Sequence, residues 1–167
     1  MAHRLFATKA QEAPIDIGVD RGDRKQLANQ LSTALADTYV LYAASQAVHW
    51  NATGPLFYSL HQLTEAQYED MAQAIDELAE RIRAIGFPAP GGLHRMTAMS
   101  GLQRQPEPQT TEELIRLLVA GNEHCAKTLR DAAKSAEESD DVRTADLLTA
   151  RIGQHEENSW MLRALLS

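Results

Sequence analysis

His49, His61, Glu65, Asp76 and Glu80 lie between positions 49 and 80 of a 167-residue chain. Imidazole and carboxylate without thiolate is a donor set that suits iron or manganese; zinc also accepts it. On a helix, at about 100° per residue, His61, Glu65, Asp76 and Glu80 project within roughly a quarter turn of one another. Their rise tells against a closed site. At about 1.5 Å per residue, His61 and Asp76 stand roughly 22 Å apart, and Glu65 and Asp76 roughly 16 Å apart. A single ion cannot be held from both ends of such a helix. Two readings remain: an acidic solvated face beside core histidines, or two half-sites. In the second, His49, His61 and Glu65 of one chain meet Asp76 and Glu80 of another across an antiparallel pairing, giving two equivalent centres per two-fold dimer.

Helices must position these groups. Leu27, Leu31, Leu35, Thr38, Leu41, Tyr42, Ser45 and His49 recur at steps of three and four, so a helix is expected over about 24–51, capped by Asp23. The cluster Asn51-Ala-Thr-Gly-Pro55 turns the chain. A second helix follows over about 56–85, with Leu60, Leu63, Tyr68, Met71, Ala72, Ile75, Leu78 and Ile82 on its apolar stripe, ended by Gly86. The connection over about 86–110 has room for a short helix between Leu93 and Ser100, and its length suits a crossover. Thr111 and two glutamates open a third helix over about 112–137, and Ser139-Asp140-Asp141 opens a fourth over about 141–165, with Ala145, Leu148, Ile152, Trp160, Leu162 and Leu165 in its core stripe. The expected fold class is all-α: a four-helix bundle over 23–167, preceded by an N-terminal extension over 1–22.

Composition agrees with one helical domain, since aromatic residues are only 5% of the chain and 44% are hydrophobic. The formal net charge of −7 disfavours nucleic acid and anionic membrane as partners. The extension is no basic arm: Arg4, Lys9 and Arg21 are balanced by Glu12, Asp16 and Asp20. Cys125 is the single cysteine, so no internal disulfide forms. Without an apolar run of membrane length or a signal-like start, a cytoplasmic location is expected.

The pattern His49-Trp50-Asn51, Gly54, Phe57, Leu60-His61, Glu65, Tyr68 and Asp76-Glu77-Leu78-Ala79-Glu80-Arg81 resembles the signature of the Dps family, the mini-ferritins that protect DNA in starved bacteria. The run from Asp146-Leu147-Leu148 to Trp160-Met161-Leu162-Arg163 is similar to that family's last helix. The resemblance implies a ferritin-like bundle assembling into a hollow dodecamer, with ferroxidase sites at two-fold interfaces and a ferric mineral inside. It also implies iron as the metal and hydrogen peroxide as the oxidant. Carried over by position, His49, His61 and Glu65 come from one subunit and Asp76 and Glu80 from its partner. Many members carry Asp where this chain has Glu65, whose longer stem alters the spacing of a second iron.

Other residues carry weaker expectations. Trp50, beside His49, either intercepts one-electron oxidants or packs at the helix end. Asp141 and Asp146 are candidates for a three-fold pore that draws iron inward; Asp140 is as well explained by capping. His155-Glu156 lacks the second histidine of a zincin motif and is expected on exposed helix surface. His3, His94 and His124 are assigned structural or surface roles, and Cys125 a core role. The competing functions are a nucleoid-associated protein acting by DNA compaction and a metal-free helical scaffold. Direct DNA binding is expected to be weak, because twelve copies at −7 each carry −84 formally.

Overall fold

The computed structural model describes residues 10–102 and 110–167. His3, Arg4 and Lys9 therefore lie outside the described residues. The helices are α1 (Arg21–Asn51), α2 (Phe57–Ala84), the short α3 (Leu93–Met99), α4 (Thr111–Glu138) and α5 (Val142–Ala164). No strand occurs among the described residues. α1 pairs with α2 and α4 with α5, α4 packs on α1, and α3 lies against α1, so the crossover carries the chain from one helical hairpin to the other.

Local chemistry sets the helix ends. Asp20, not Asp23, caps α1: its carboxylate accepts from Gly22 N at 2.6 Å. Thr110 and Glu113 form a reciprocal capping box on α4, one residue earlier than the sequence predicts. Asp140, with φ 55°, takes the left-handed conformation that ends α4, and Asp141 N donates back to Ala136 O at 2.9 Å. Gly86 is required twice over after α2. Its φ is 97°, and a Cβ there would stand 3.1 Å from both Ala13 O and Arg24 Nη1.

The end of the extension is fastened at this corner. Ala13 N donates to Gly86 O at 2.8 Å, and the buried Arg24 guanidinium donates to Val19, Ile85 and Ile15 carbonyls. Leu27, Leu31, Leu35, Leu78, Ile82, Leu129 and Leu148 fill one half of the interior, and Leu41, Val48, Leu60, Met71, Ile115, Leu118 and Leu162 the other. Between the halves, the fully buried Asp37 accepts from Ser100 Oγ, Gly101 N, Thr128 Oγ1 and His124 Nε2, all within 2.7–3.0 Å. Four donors satisfy a carboxylate that would otherwise be costly to bury, and they tie the crossover to α1 and α4.

Two residues depart from the predicted stripes. Trp160 is 66% exposed and Ala72 is exposed, so neither belongs to the chain's own core. α5 is polar on its buried side: Arg151, His155, Asn158 and Ser159 all point inward between Leu148 and Leu162. Apolar spacing alone is therefore a poor guide to which way α5 faces.

Candidate metal centre

The last turn of α1 and the second turn of α2 bring His49 and His61 together across the hairpin. Their rings stack at 3.7 Å between centroids, 15° from parallel. His49 Nδ1 lies 2.9 Å from His61 O, and His61 Nδ1 lies 2.9 Å from His49 O. A carbonyl only accepts, so each Nδ1 carries a proton, and in the neutral ring each Nε2 keeps its lone pair. This reciprocal tie fixes tautomer and ring orientation in the manner that second-shell groups prepare a metal-binding imidazole.

Aromatic rings wall the pair. Tyr68 meets His49 edge-on at 5.2 Å, and Phe57 lies 5.1 Å from His61. Burial, followed by the nearby charges of Glu65 and Glu69, raises the Tyr68 phenol above its usual range, so it stays protonated at neutral pH. Glu65 lies one turn beyond His61 on the same face of α2 and is half-buried. Asp76 and Glu80 are exposed near the other end of α2. Among the described residues, no three His, Cys, Asp or Glu side chains converge into a metal-binding group within the chain. In the single chain, Glu65 does not join His49 and His61 in a three-ligand group.

The remaining expected site residues separate into exposed and structural groups. Trp50 is 68% exposed and does not pack into its own chain. Asp146 is exposed and pairs with Arg143 on its own helix. Asp141, an expected pore residue, instead lies buried, with its carboxylate bonded to Arg81 Nη2 at 2.6 Å and to Thr144 Oγ1 and N. Burial pushes its pKa up, but the bonds from Thr144 and Arg81 outweigh that and hold it below the usual carboxylate range. It caps α5 and clamps it to α2.

His155 also departs from the sequence reading: it is fully buried, not exposed, and its Nδ1 donates to Asn122 Oδ1 at 2.8 Å. Burial, helped by the neighbouring Arg151 charge, pushes its pKa down to about 4. Cys125 is buried as expected, and burial raises its thiol pKa, leaving it protonated and unreactive. Spacing does not reveal Asp37, whose importance rests on loop contacts from Ser100 and Gly101.

The ferritin-like domain family matches residues 28–167. DNA protection during starvation protein 2 of Bacillus anthracis is 34% identical, over 86% of this chain and 98% of its own length. A low temperature-induced protein of Nostoc is 35% identical over 91% of this chain and 86% of its own. Among solved structures, a Dps protein from Vibrio cholerae, described as a member of a broad superfamily of ferritin-like diiron-carboxylate proteins, superposes with a TM-score of 0.83. It shares 27% identity, over 92% of this chain and 100% of that one. With a stacked histidine pair at the hairpin, five helices in ferritin-like order and these relatives, the chain belongs to the Dps family of ferritin-like proteins.

Proposed function

We propose that this chain is an iron-sequestering ferroxidase that acts only as an assembly. The observation that carries the reading is the reciprocal His49–His61 bonding, which leaves two imidazole Nε2 acceptors fixed side by side. With Glu65 they form one half-site, and Asp76 and Glu80 of a second copy supply the other. Two such centres form across each two-fold axis of a dodecamer.

Ferrous ion is the substrate. The imidazoles orient it, and the carboxylates favour the ferric product by adding negative charge around it. With hydrogen peroxide as oxidant, two ferrous ions give one electron each, the O–O bond breaks, and two protons are taken up to yield two waters. Pairing the electrons in this way releases no hydroxyl radical. Exposed Trp50, next to His49, and Tyr68, against its ring, stand where a stray one-electron oxidant would meet them first. Asp146, exposed near the start of α5, is the remaining candidate to draw cations through a pore. Ferric mineral stored in the shell would protect DNA by removing the reactants.

The test is peroxide-driven ferrous oxidation by the Asp76→Ala, Glu80→Ala double variant. The expected rate is at least about tenfold below that of the parent, since lost metal-site groups typically cost one or two orders of magnitude. An unchanged rate would exclude the inter-subunit centre.

A further inference from the structure

Six of the seven buried side-chain polar atoms that lack a hydrogen-bond partner among the described residues belong to Ser45, Gln67, Arg151, His155 and Ser159. Each of these residues is at least nine-tenths buried. Their number within about two turns of the bundle needs a cause, because unpaired polar groups in a protein interior are rare and costly.

The helix register places them together. Arg81 pairs with Asp141, and Asp70 with Arg151, so eleven residues back along α2 (81 to 70) correspond to ten forward along α5 (141 to 151). Three residues further, Gln67 reaches the level of Gln154 and His155. On α1, His49 stands opposite His61, so six steps along α2 from 61 to 67 lead back to position 43, within a turn of Ser45. Asn122 on α4 touches His155 directly. α2 and α5 approach closely at few points and are bridged by the long side chains of Arg81 and Arg151.

The hydrogen bonding defines what the space offers. Asn122 Nδ2 donates to Leu118 O, which aims Oδ1 at His155 Nδ1 and leaves His155 Nε2 a bare acceptor. The Gln67 amide supplies two donors and an acceptor, Arg151 Nε one donor, and Ser45 and Ser159 a hydroxyl each. The set is neutral except for Arg151, whose charge is matched by bidentate bonds to Asp70 at 2.6 and 2.9 Å. A dication would have no uncommitted anion to offset it and would face the guanidinium. An anion would face the bare acceptors Gln67 Oε1 and His155 Nε2, with the one nearby cation already paired to Asp70.

We propose that this level of the bundle is a binding site for internal water, bridging Gln67, His155, Ser45, Ser159 and the Arg151 Nε. With about three hydrogen bonds per buried water, six unpartnered atoms call for about two molecules. Ferritin-like di-iron proteins use the same interior for carboxylates and Glu-x-x-His pairs from four helices. Here Ser45, Gln67, Asn122 and His155 supply neutral groups from four helices, a setting for water rather than iron.

The test is a crystal structure of the assembled protein at atomic resolution, from metal-free crystals and from crystals soaked in zinc. The expected result is ordered water within hydrogen-bond distance of the Gln67 amide and His155 Nε2 in both, without an anomalous zinc signal there. A direct Gln67–His155 bond with no density between the helices would overturn the proposal, as would zinc bound at His155. The Gln67→Leu variant adds a second arm: it should still assemble and lose the water nearest the amide position. An unchanged water structure in that variant would contradict the assignment.

Discussion

Two defective chains should repair each other if each contributes half a centre. His61→Asn keeps a donor for the His49 carbonyl, now 2.9 Å from His61 Nδ1, and deletes the Nε2 acceptor. The Asp76→Ala, Glu80→Ala variant changes only exposed positions and leaves the histidine pair intact. Assemblies of either variant alone contain no complete centre. Coexpressed at equal levels and paired at random, about half of the dimers are mixed. Each mixed dimer holds one intact centre and one that lacks both halves, so about a quarter of all centres are restored. Stopped-flow oxidation of ferrous iron by peroxide, on mixed assemblies isolated through a tag on each variant, should recover about a quarter of the parent rate. Recovery no greater than the averaged rates of the two variants alone would refute the half-site argument, because a centre built within one chain cannot be complemented.

Buried His155 predicts acid sensitivity. Its folded pKa of about 4 lies below the ordinary value near 6.5, so the unfolded chain binds the proton more readily. The stability it contributes is fully present above about pH 6.5 and is lost as pH falls towards 4, to the extent of about 3 kcal/mol per chain. Urea unfolding from pH 7 to pH 4 should show a shallower loss in His155→Asn, and identical slopes would count against burial of a neutral imidazole. Asp141→Ala should cost about 3 kcal/mol by orphaning Arg81 and uncapping α5. Asp146→Ala should leave stability within about 0.5 kcal/mol while slowing iron uptake; the reverse pattern in chemical denaturation and uptake assays would exchange their roles. Gly121→Ala places a Cβ 2.6 Å from the buried Leu41 Cδ1. Overpacking should outweigh the gain in helix propensity, for a net loss on the order of 1 kcal/mol, and a higher melting temperature would disprove that. Plasmid should not be retarded at moderate salt and neutral pH, given the net charge of −7 per chain; tight, metal-independent retardation in a gel would reverse this view.

The helices were legible because apolar residues recur at helical spacing and because Gly54, Pro55, Gly86 and the Thr-Glu-Glu run mark their ends. The separation of His61 from Asp76 was legible because one helix spans both and its rise per residue is fixed whatever the surroundings. What escaped depends on neighbours distant in sequence. His155 reads as surface until Asn122, 33 positions away, accepts its hydrogen bond. Asp141 reads as one of an acidic run until Arg81 reaches it from α2. Trp160 reads as core, yet it lies outside the chain's own core on a helix whose inward face is polar. Period alone ranks hydrophobicity along a helix, and α5 buries arginine, histidine and asparagine instead.

The most direct measurement is anomalous diffraction at the iron edge from crystals soaked anaerobically in ferrous iron. Iron is expected at Nε2 of His49 and His61 together with Asp76 of the partner subunit and Glu80 of the partner subunit. Iron held by ligands from one chain alone, or none at the stacked histidines, would contradict this.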